Sequence, residues 1–216
     1  MLLLGPPAKP TALSHTLNPI NGWARHIPIS VEYERSLSMS TDTPLTFTGR
    51  DEALRDIVNA TATAVAADVS NAAAVFRAAG SGDSGVATNI RIGRHETLID
   101  EPPALGGTDA APNPVETALA GLLSCQVVTY RFWAAKLDIP LDEVQVDTEG
   151  DLDVRGFFGL EDGVRPGFGE VRVKVKLTGP ASPEQYRELQ AAVDQHCPVL
   201  DLFSSPTPVR TELITS

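Results

Sequence analysis

Cysteine and basic residues are scarce in this sequence, and each shortage argues against a class of function. Only two cysteines, Cys125 and Cys197, occur in 216 residues, and neither belongs to a C-x-x-C or C-x-x-H spacing. This argues against a disulfide scaffold and a zinc site. The chain has 17 basic and 28 acidic residues, a formal net charge of −11. Because so acidic a chain repels phosphate backbones and anionic lipids, we expect no nucleic-acid and no membrane partner.

Long apolar runs of the kind that enter or cross membranes are missing as well. The opening MLLLGPP has three leucines, no basic flank and an immediate proline pair, which is short of a signal peptide or a membrane span. Mean hydropathy is −0.04 and 42% of the residues are hydrophobic, as in globular proteins. These features predict one main domain in the cytoplasm, where thiols stay reduced.

The first residues of the chain differ in composition from the rest. Residues 1–45 hold many Pro, Ser and Thr residues without sustained periodicity, which predicts a poorly ordered N-terminal extension. A folded domain that begins with a helix is predicted over residues 46–216. Because Met39 directly precedes the stretch that leads into this domain, we expect the natural chain to start there.

The first part of the domain predicts one helix and three short strands. Apolar residues at helical spacing predict a helix over residues 51–68. Alternation predicts strands at residues 73–78 and 86–93, separated by the glycine-rich stretch GSGDSG, and a third strand at residues 96–102. We expect the three strands to form an antiparallel meander.

A long apolar helix is predicted in the middle of the domain. Its start is indicated by Asn113 as N-cap, Pro114 as first residue and Glu116 as third residue. Residues 115–137 are then apolar round much of the helix, and Pro140 follows its end. We therefore expect this helix to be buried on most sides, within its own domain or against a partner subunit.

Strands and a further helix are predicted after the long helix. Residues 144–154 and 170–177 alternate with period two, which predicts two half-exposed antiparallel strands, whereas the glycine-rich link at residues 155–169 predicts no regular structure. Ser182, Pro183 and Gln185 start another capped helix, which Pro198 is expected to stop. Residues 206–214 predict a final strand. The fold class is therefore α+β with antiparallel sheets.

The two cysteines are the candidates for chemistry. Cys125 falls in the middle of the long helix and Cys197 at the end of the last helix, so we expect both in enclosed positions. A buried free cysteine often acts as a small hydrophobe, and this inert alternative stays open. In a reactive pair, one thiolate attacks an oxidised oxygen or a disulfide, and the second thiol resolves the product. His196 precedes Cys197, but adjacent helical residues point about 100° apart, so a helix-end role is expected rather than a Cys–His pair.

Four segments of the chain are distinctive when taken together. They are DEPPALGGTDAAPNPVETALAGLLSCQ, GDLDVRGFFG, VRPGFGEVRVKVKL and HCPVLDLF. The Pro-x-Glu helix start, the helical cysteine and the Cys-Pro dipeptide come in one order and at distances that resemble the osmotically inducible protein C and organic hydroperoxide resistance (OsmC/Ohr) family. The resemblance spans residues 73–214 and points to the broad OsmC-like branch.

The resemblance implies both a fold and a chemistry. The fold is an intertwined homodimer in which antiparallel sheets surround a long buried helix, with active sites at the subunit interface. The chemistry is that of a thiol peroxidase acting in oxidative-stress defence: Cys125 attacks an organic hydroperoxide through a sulfenic acid, and Cys197 resolves it as an intramolecular disulfide. A dihydrolipoyl group or another dithiol restores the thiols, and no cofactor or metal is implied.

The resemblance also implies an arginine that holds the thiolate of Cys125. Arg91 and Arg94 are the nearest candidates by the family's layout, and Arg94 is taken as the site residue. Arg77 and Arg131 are less well placed. The sequence does not match the family's arginine-bearing loop cleanly, and a solvated surface charge is the alternative for each of these residues.

A glutamate that holds the arginine is the last site residue implied, and Glu116 is its candidate. In the hydroperoxide reductases this glutamate follows the Asn-Pro pair directly, and this chain has Val115 there. Glu116 lies nine residues before Cys125, so the two side chains leave nearly opposite faces of the helix. A capping or dimer-interface role is therefore the alternative to a catalytic one.

Two functions of different class follow from these residues. The first is the peroxidase. The second, favoured by Val115, is a dimeric binding or redox-sensing module whose apolar interface pocket holds a hydrophobic small molecule without turnover.

Overall fold

The computed structural model of the protein describes residues 47–82 and 84–215 as a mixture of helices and antiparallel strands. In chain order the elements are α1 (Phe47–Ala67), β1 (Ala78–Ser81), β2 (Thr88–Ile92), β3 (His95–Ile99), α2 (Pro114–Leu137), β4 (Glu143–Leu152), α3 (Val154–Phe158), β5 (Phe168–Thr178), α4 (Pro183–His196) and α5 (Pro198–Ser204). The extension predicted over residues 1–45 and the start predicted at Met39 lie outside the described residues.

The strands form two separate antiparallel sheets. In the first, β2 lies between β1 and β3, which is the predicted meander. In the second, β4 pairs with β5 along its whole length, with a shift of register between Asp151 and Leu152. The predicted α+β class with antiparallel sheets is confirmed. No helix of the described ranges is long and apolar enough to cross a membrane.

Helix α2 is the element on which the others pack, because α1, β4, α4 and α5 all contact it. Tyr130 of α2 meets Leu189 and Val193 of α4, and all three side chains are at most 1% exposed. Burial of each contributes roughly 1.5–3 kcal/mol to folding. The opposite side of α2 is open within the single chain, where Ser124 and Val128 are exposed.

The ends of α2 follow the predicted signals. The Asn113 side chain accepts a hydrogen bond from the Glu116 N–H at 2.8 Å, and the Glu116 carboxylate accepts one from the Asn113 N–H at 3.0 Å. This capping box satisfies N–H groups that a helix start otherwise leaves unpaired. At the other end Asp138 takes the left-handed conformation, with φ 56°, and the chain turns towards β4.

Two predictions near the strands need correction. The first strand lies at Ala78–Ser81 instead of residues 73–78, because Ile92, the last residue of β2, pairs with Ala78 and leaves the preceding residues without a partner. The link between β4 and β5 is not irregular throughout, because it contains α3. The Asp153 side chain caps this helix by accepting from the Arg155 N–H at 3.0 Å.

The predicted ending of the chain is also wrong in part. Pro198 follows the end of α4, as predicted, but it is also the first residue of a further helix, α5. Proline suits the first position of a helix. Residues 206–214 form no strand, and Val209, Leu213 and Ile214 are each 85% exposed. The segment contains two prolines, which remove N–H donors that a strand needs, and β4 and β5 pair with each other in the described chain.

The loop before α2 is organised around the buried carboxylate of Asp100. This carboxylate accepts hydrogen bonds from the Thr108 hydroxyl at 2.7 Å, the Thr108 N–H at 3.0 Å and the Ala110 N–H at 3.1 Å. These bonds hold the pKa of Asp100 well below its usual range, with the Thr108 hydroxyl as the largest cause. Gly107 is enclosed by the same loop, since a Cβ there would lie 1.8 Å from the carbonyl oxygen of Glu101.

We expect Gly107→Ala to lower the free energy of unfolding by about 1–3 kcal/mol or more, because the loop must open to admit the methyl group. Urea unfolding followed by circular dichroism measures the change. Gly121→Ala is the matched control: a Cβ there meets nothing within 4 Å, and alanine in a helix is favoured over glycine by about 0.5–1 kcal/mol. Equal effects of the two substitutions would contradict the packing argument.

The Asp100 network should also make stability depend on pH. Because the folded-state pKa lies below the unfolded one, the stabilisation is present above about pH 3.9, the ordinary aspartate pKa, and is lost as the pH falls from there towards the folded value. The free energy of unfolding in urea is measured between pH 3 and pH 7. At pH 7 it should be lower for Asp100→Asn than for the unsubstituted chain, and this difference should become smaller below about pH 4. A constant gap over this range would show that the carboxylate charge is not what stabilises the loop.

Candidate functional site

The structure brings the two cysteines together. Cys125 is half-buried on α2, Cys197 is 2% exposed at the junction of α4 and α5, and neither is in a disulfide. Cys125 packs against the core cluster that contains Cys197, and Cys197 is close enough to shift the pKa of Cys125. Residues far apart in the sequence thus form one pair of neighbouring thiols.

Cys197 is held by the backbone of the two helices that it joins. Its N–H donates to the Val193 carbonyl at 2.9 Å, which closes the last turn of α4. Its carbonyl accepts from the Asp201 N–H at 3.1 Å, which opens the first turn of α5. The residue itself is extended, with φ −79° and ψ 110°. Cys197 therefore ends one helix and precedes the next, and its side chain is directed by both.

The surroundings of Cys125 favour the protonated thiol. Burial is the largest cause and raises the pKa of the Cys125 thiol above its ordinary value, and the neighbouring Cys197 raises it further. The N–H of Val199, in the first turn of α5, and the hydroxyl of Thr129 act in the opposite direction. Thr129 lies one helical turn after Cys125, with its hydroxyl 4.0 Å from the sulfur. The net effect is a thiol that ionises less readily than a free cysteine.

The candidate arginines do not reach this pair within the described chain. Arg94 is exposed in the turn between β2 and β3, Arg91 is exposed on β2, and Arg77 is exposed before β1. Arg131 donates to the carbonyls of the loop after α2, at 2.7 and 3.0 Å. Among described residues, the groups that shift the Cys125 pKa include no arginine. The role of Arg94 stays a prediction.

Glu116 is placed at the start of α2, away from the thiols. Its carboxylate completes the capping box, and it lies close enough to Glu101 to help raise the pKa of that residue, after burial as the main cause. Nine residues separate Glu116 from Cys125, which is about 13 Å along a helix axis. The capping role is therefore present in the structure, and the catalytic role stays a prediction.

Several neighbours of the thiols were not anticipated from the sequence. Tyr130 is buried beside Cys197, and burial, followed by Asp194 and Cys197, raises its pKa to about 12. Helical spacing identifies Thr129 as a neighbour of Cys125, because residues four apart share a face. Nothing local identifies Val199, since its N–H meets Cys125 only through the bend at Cys197.

His196 takes the helix-end position that was expected. It lies in the last turn of α4, and its ring stacks on Trp133 of α2, with ring centroids 4.3 Å apart and planes inclined by 14°. Lys136 lies over the same indole, with its Nζ 3.9 Å from the ring centroid. The ends of α2 and α4 are thus joined beside Cys197.

Two surface grooves in the described chain lie away from the thiols. One, of about 600 Å³, runs along the three-stranded sheet and is lined by Arg91, Glu96 and neighbouring residues. The other, of about 400 Å³, lies between α1 and the loop after α2, beside the Arg55–Asp138 ion pair. Neither groove is lined by a cysteine.

Comparison with known families agrees with this arrangement. The family model described as OsmC-like protein matches residues 107–212, which contain α2, both cysteines and every element between them. Residues 107–212 of the chain belong to the OsmC-like family. No curated protein sequence matches the chain.

Two OsmC-like proteins of known structure, from Mycoplasma pneumoniae and Vibrio cholerae, share this fold. An OsmC-like protein from Mycoplasma pneumoniae aligns with a TM-score of 0.54 and 15% identity, over 61% of this chain and 88% of that chain. An OsmC-like protein of unknown function from Vibrio cholerae aligns with a TM-score of 0.50 and 18% identity, over 66% of this chain and 100% of that chain. An organic hydroperoxide resistance protein from Legionella pneumophila aligns with a TM-score of 0.48 and 22% identity, over 60% and 89% of the two chains.

The raised pKa of Cys125 should appear in its rate of alkylation. Because only the thiolate reacts, we expect the rate constant for Cys125 with iodoacetamide to keep rising above pH 9, the ordinary value for the group. Peptide-resolved mass spectrometry of the folded protein separates Cys125 from Cys197, and the urea-unfolded protein gives the unperturbed profile. A plateau below pH 8 would mean that a cation absent from the described surroundings stabilises the thiolate.

Proposed function

We propose that this protein is a thiol-dependent peroxidase that reduces organic hydroperoxides in oxidative-stress defence, with Cys125 as the attacking residue and Cys197 as the resolving residue. The observation that carries the proposal is the meeting of these two free thiols at the edge of the core. The chemistry implied by the sequence resemblance uses the same two residues. Membership of the OsmC-like family supports it.

The reaction begins with the thiolate of Cys125, which attacks the terminal oxygen of the hydroperoxide. The O–O bond breaks, the alkoxide takes up a proton and leaves as an alcohol, and Cys125 becomes a sulfenic acid. The thiolate of Cys197 then attacks the sulfur of Cys125 and displaces hydroxide, which leaves as water, and a disulfide forms. A dithiol such as a dihydrolipoyl group exchanges with this disulfide, becomes a disulfide itself and restores both protein thiols.

Burial affects the two steps differently. It raises the pKa of Cys125 and so reduces the fraction of thiolate available for the first step. It also keeps Cys197 beside the sulfenic acid, so the second step is intramolecular and competes well with further oxidation to sulfinic acid. Burial therefore favours disulfide formation by Cys197 more than it favours rapid attack of Cys125 on the hydroperoxide.

The proposal includes a homodimer in the cytoplasm, with Arg94 and Glu116 as further site candidates. Apolar surface left open in the single chain supports a dimer, notably Val128 on α2 and the residues Val209 and Leu213 of the C-terminal segment. The two free thiols are consistent with a reducing compartment.

The raised pKa of Cys125 also favours the second candidate, a redox-sensing or small-molecule-binding module without turnover. A protonated thiol attacks a hydroperoxide slowly, which favours a role without turnover. Steady consumption of cumene hydroperoxide in the presence of reduced lipoamide would exclude this alternative. A single stoichiometric oxidation that the dithiol does not sustain would favour it.

The proposal is tested by adding one equivalent of cumene hydroperoxide to the reduced protein and following intact mass and free thiols. The unsubstituted chain should lose both thiols and about two mass units, as an intramolecular disulfide requires. Cys197→Ser should gain about 16 mass units, since the sulfenic acid has no partner thiol. Cys125→Ser should react no faster than background.

Ser124→Ala is the matched control, because Ser124 is exposed beside Cys125 and bonds only to the helix backbone in the described chain. It should behave as the unsubstituted protein does. Unchanged mass and two free thiols in the unsubstituted chain would overturn the proposal, as would full oxidation of Cys125→Ser.

A further inference from the structure

We propose that His196, stacked on Trp133, is a positioning residue that holds Cys197 against Cys125 and so sets how readily the two thiols form a disulfide. The inference deepens the proposed function, since it concerns the resolving step of the same pair. Its readout is a thiol–disulfide equilibrium that needs no hydroperoxide.

The direction of the Cys197 thiol is set by the ends of the two helices that the residue joins. Cys197 is neither inside α4 nor inside α5, and Pro198 has no N–H with which to continue the helical bonds of α4. The position of its thiol therefore depends on where the last turn of α4 is held. Leu189 and Val193, both 0% exposed, hold α4 in the core at two turns and at one turn before Cys197.

His196 adds an anchor at the exposed side of this last turn. It directly precedes Cys197, and its ring lies flat on Trp133, 4.3 Å away between centroids. Trp133 is on α2, the helix that carries Cys125. The stack thus ties the residue next to one thiol to the helix that carries the other.

The hydrophobic effect alone does not account for the contact between His196 and Trp133. His196 is exposed, so its ring could turn to solvent without uncovering the core. A stacked aromatic pair is worth enough to change an equilibrium by about two- to tenfold. Loss of the stack frees the end of α4, which lowers the effective concentration of Cys197 at Cys125.

The test equilibrates the protein in mixtures of reduced and oxidised dithiothreitol. The protein dithiol passes two electrons and two protons to the oxidised reagent, giving protein disulfide and reduced dithiothreitol. Alkylation at low pH and mass spectrometry give the fraction of disulfide. His196→Ala should lower the equilibrium constant for disulfide formation about two- to tenfold.

Two further variants separate stacking from bulk. His196→Phe keeps a flat ring and should restore the equilibrium constant, whereas His196→Leu is apolar without a ring and should behave as His196→Ala does. Gln195→Ala, at the neighbouring exposed position of α4, is the matched control and should leave the constant unchanged.

Each outcome decides the inference. An unchanged equilibrium constant in His196→Ala overturns it, as does failure of His196→Phe to restore the constant, or a protein that forms no Cys125–Cys197 disulfide at any ratio of the reagent. The expected changes in the equilibrium constant, found in a protein that does not react with hydroperoxide, would support the positioning role of His196 and exclude the proposed peroxidase.

Discussion

The position of helix α2 is the constraint on which the rest of the structure depends, because α1, β4, α4 and α5 all pack on it. The first turn of α2 is fixed by local bonds. Asp100 folds the preceding loop around its carboxylate, and the Asn113–Glu116 capping box then defines the first turn. Packing along the helix then buries Tyr130 in the core and leaves Cys125 at its edge.

The same packing creates a conflict between reactivity and burial at the thiols. A cysteine that attacks peroxide benefits from a low pKa, yet the surroundings of Cys125 raise it. What the core provides instead is proximity, since Cys197 is nearly fully buried against Cys125 at the junction of α4 and α5. The described part of the chain is thus better suited to closing a disulfide than to generating a thiolate.

The sequence predicted those features that local chemistry determines. Residues close together in the sequence determine both capping boxes, the proline starts of α2 and α4, and the alternation of β4 and β5. The structure has these features where they were expected. The features that it missed depend on distant partners. The first strand begins at Ala78 because β2 ends at Ile92, and the strand predicted at residues 206–214 has no neighbour with which to pair in the described chain.

The candidate site also contains some features that the local sequence predicts and others that depend on distant residues. Cys125 and Cys197 stand out as the two cysteines of the sequence, and helical spacing identifies Thr129. The contact between Trp133 and His196 joins two helices that are far apart in the sequence, so no local pattern could predict it. Glu116 has a local explanation in the capping box, which is why its second, catalytic interpretation could not be separated from the first by sequence alone.

The Cys-Pro dipeptide acquires a physical meaning from this geometry. Proline at residue 198 interrupts the bonding of α4 after Cys197 and is itself suited to the first position of α5. The first N–H groups of a helix have no partner within that helix, and the N–H of Val199 in α5 acts to lower the pKa of Cys125. The bend at Cys197 therefore has two effects. It places the thiol of Cys197 beside that of Cys125, and it brings a backbone N–H that offsets part of the cost of burying a thiolate at Cys125.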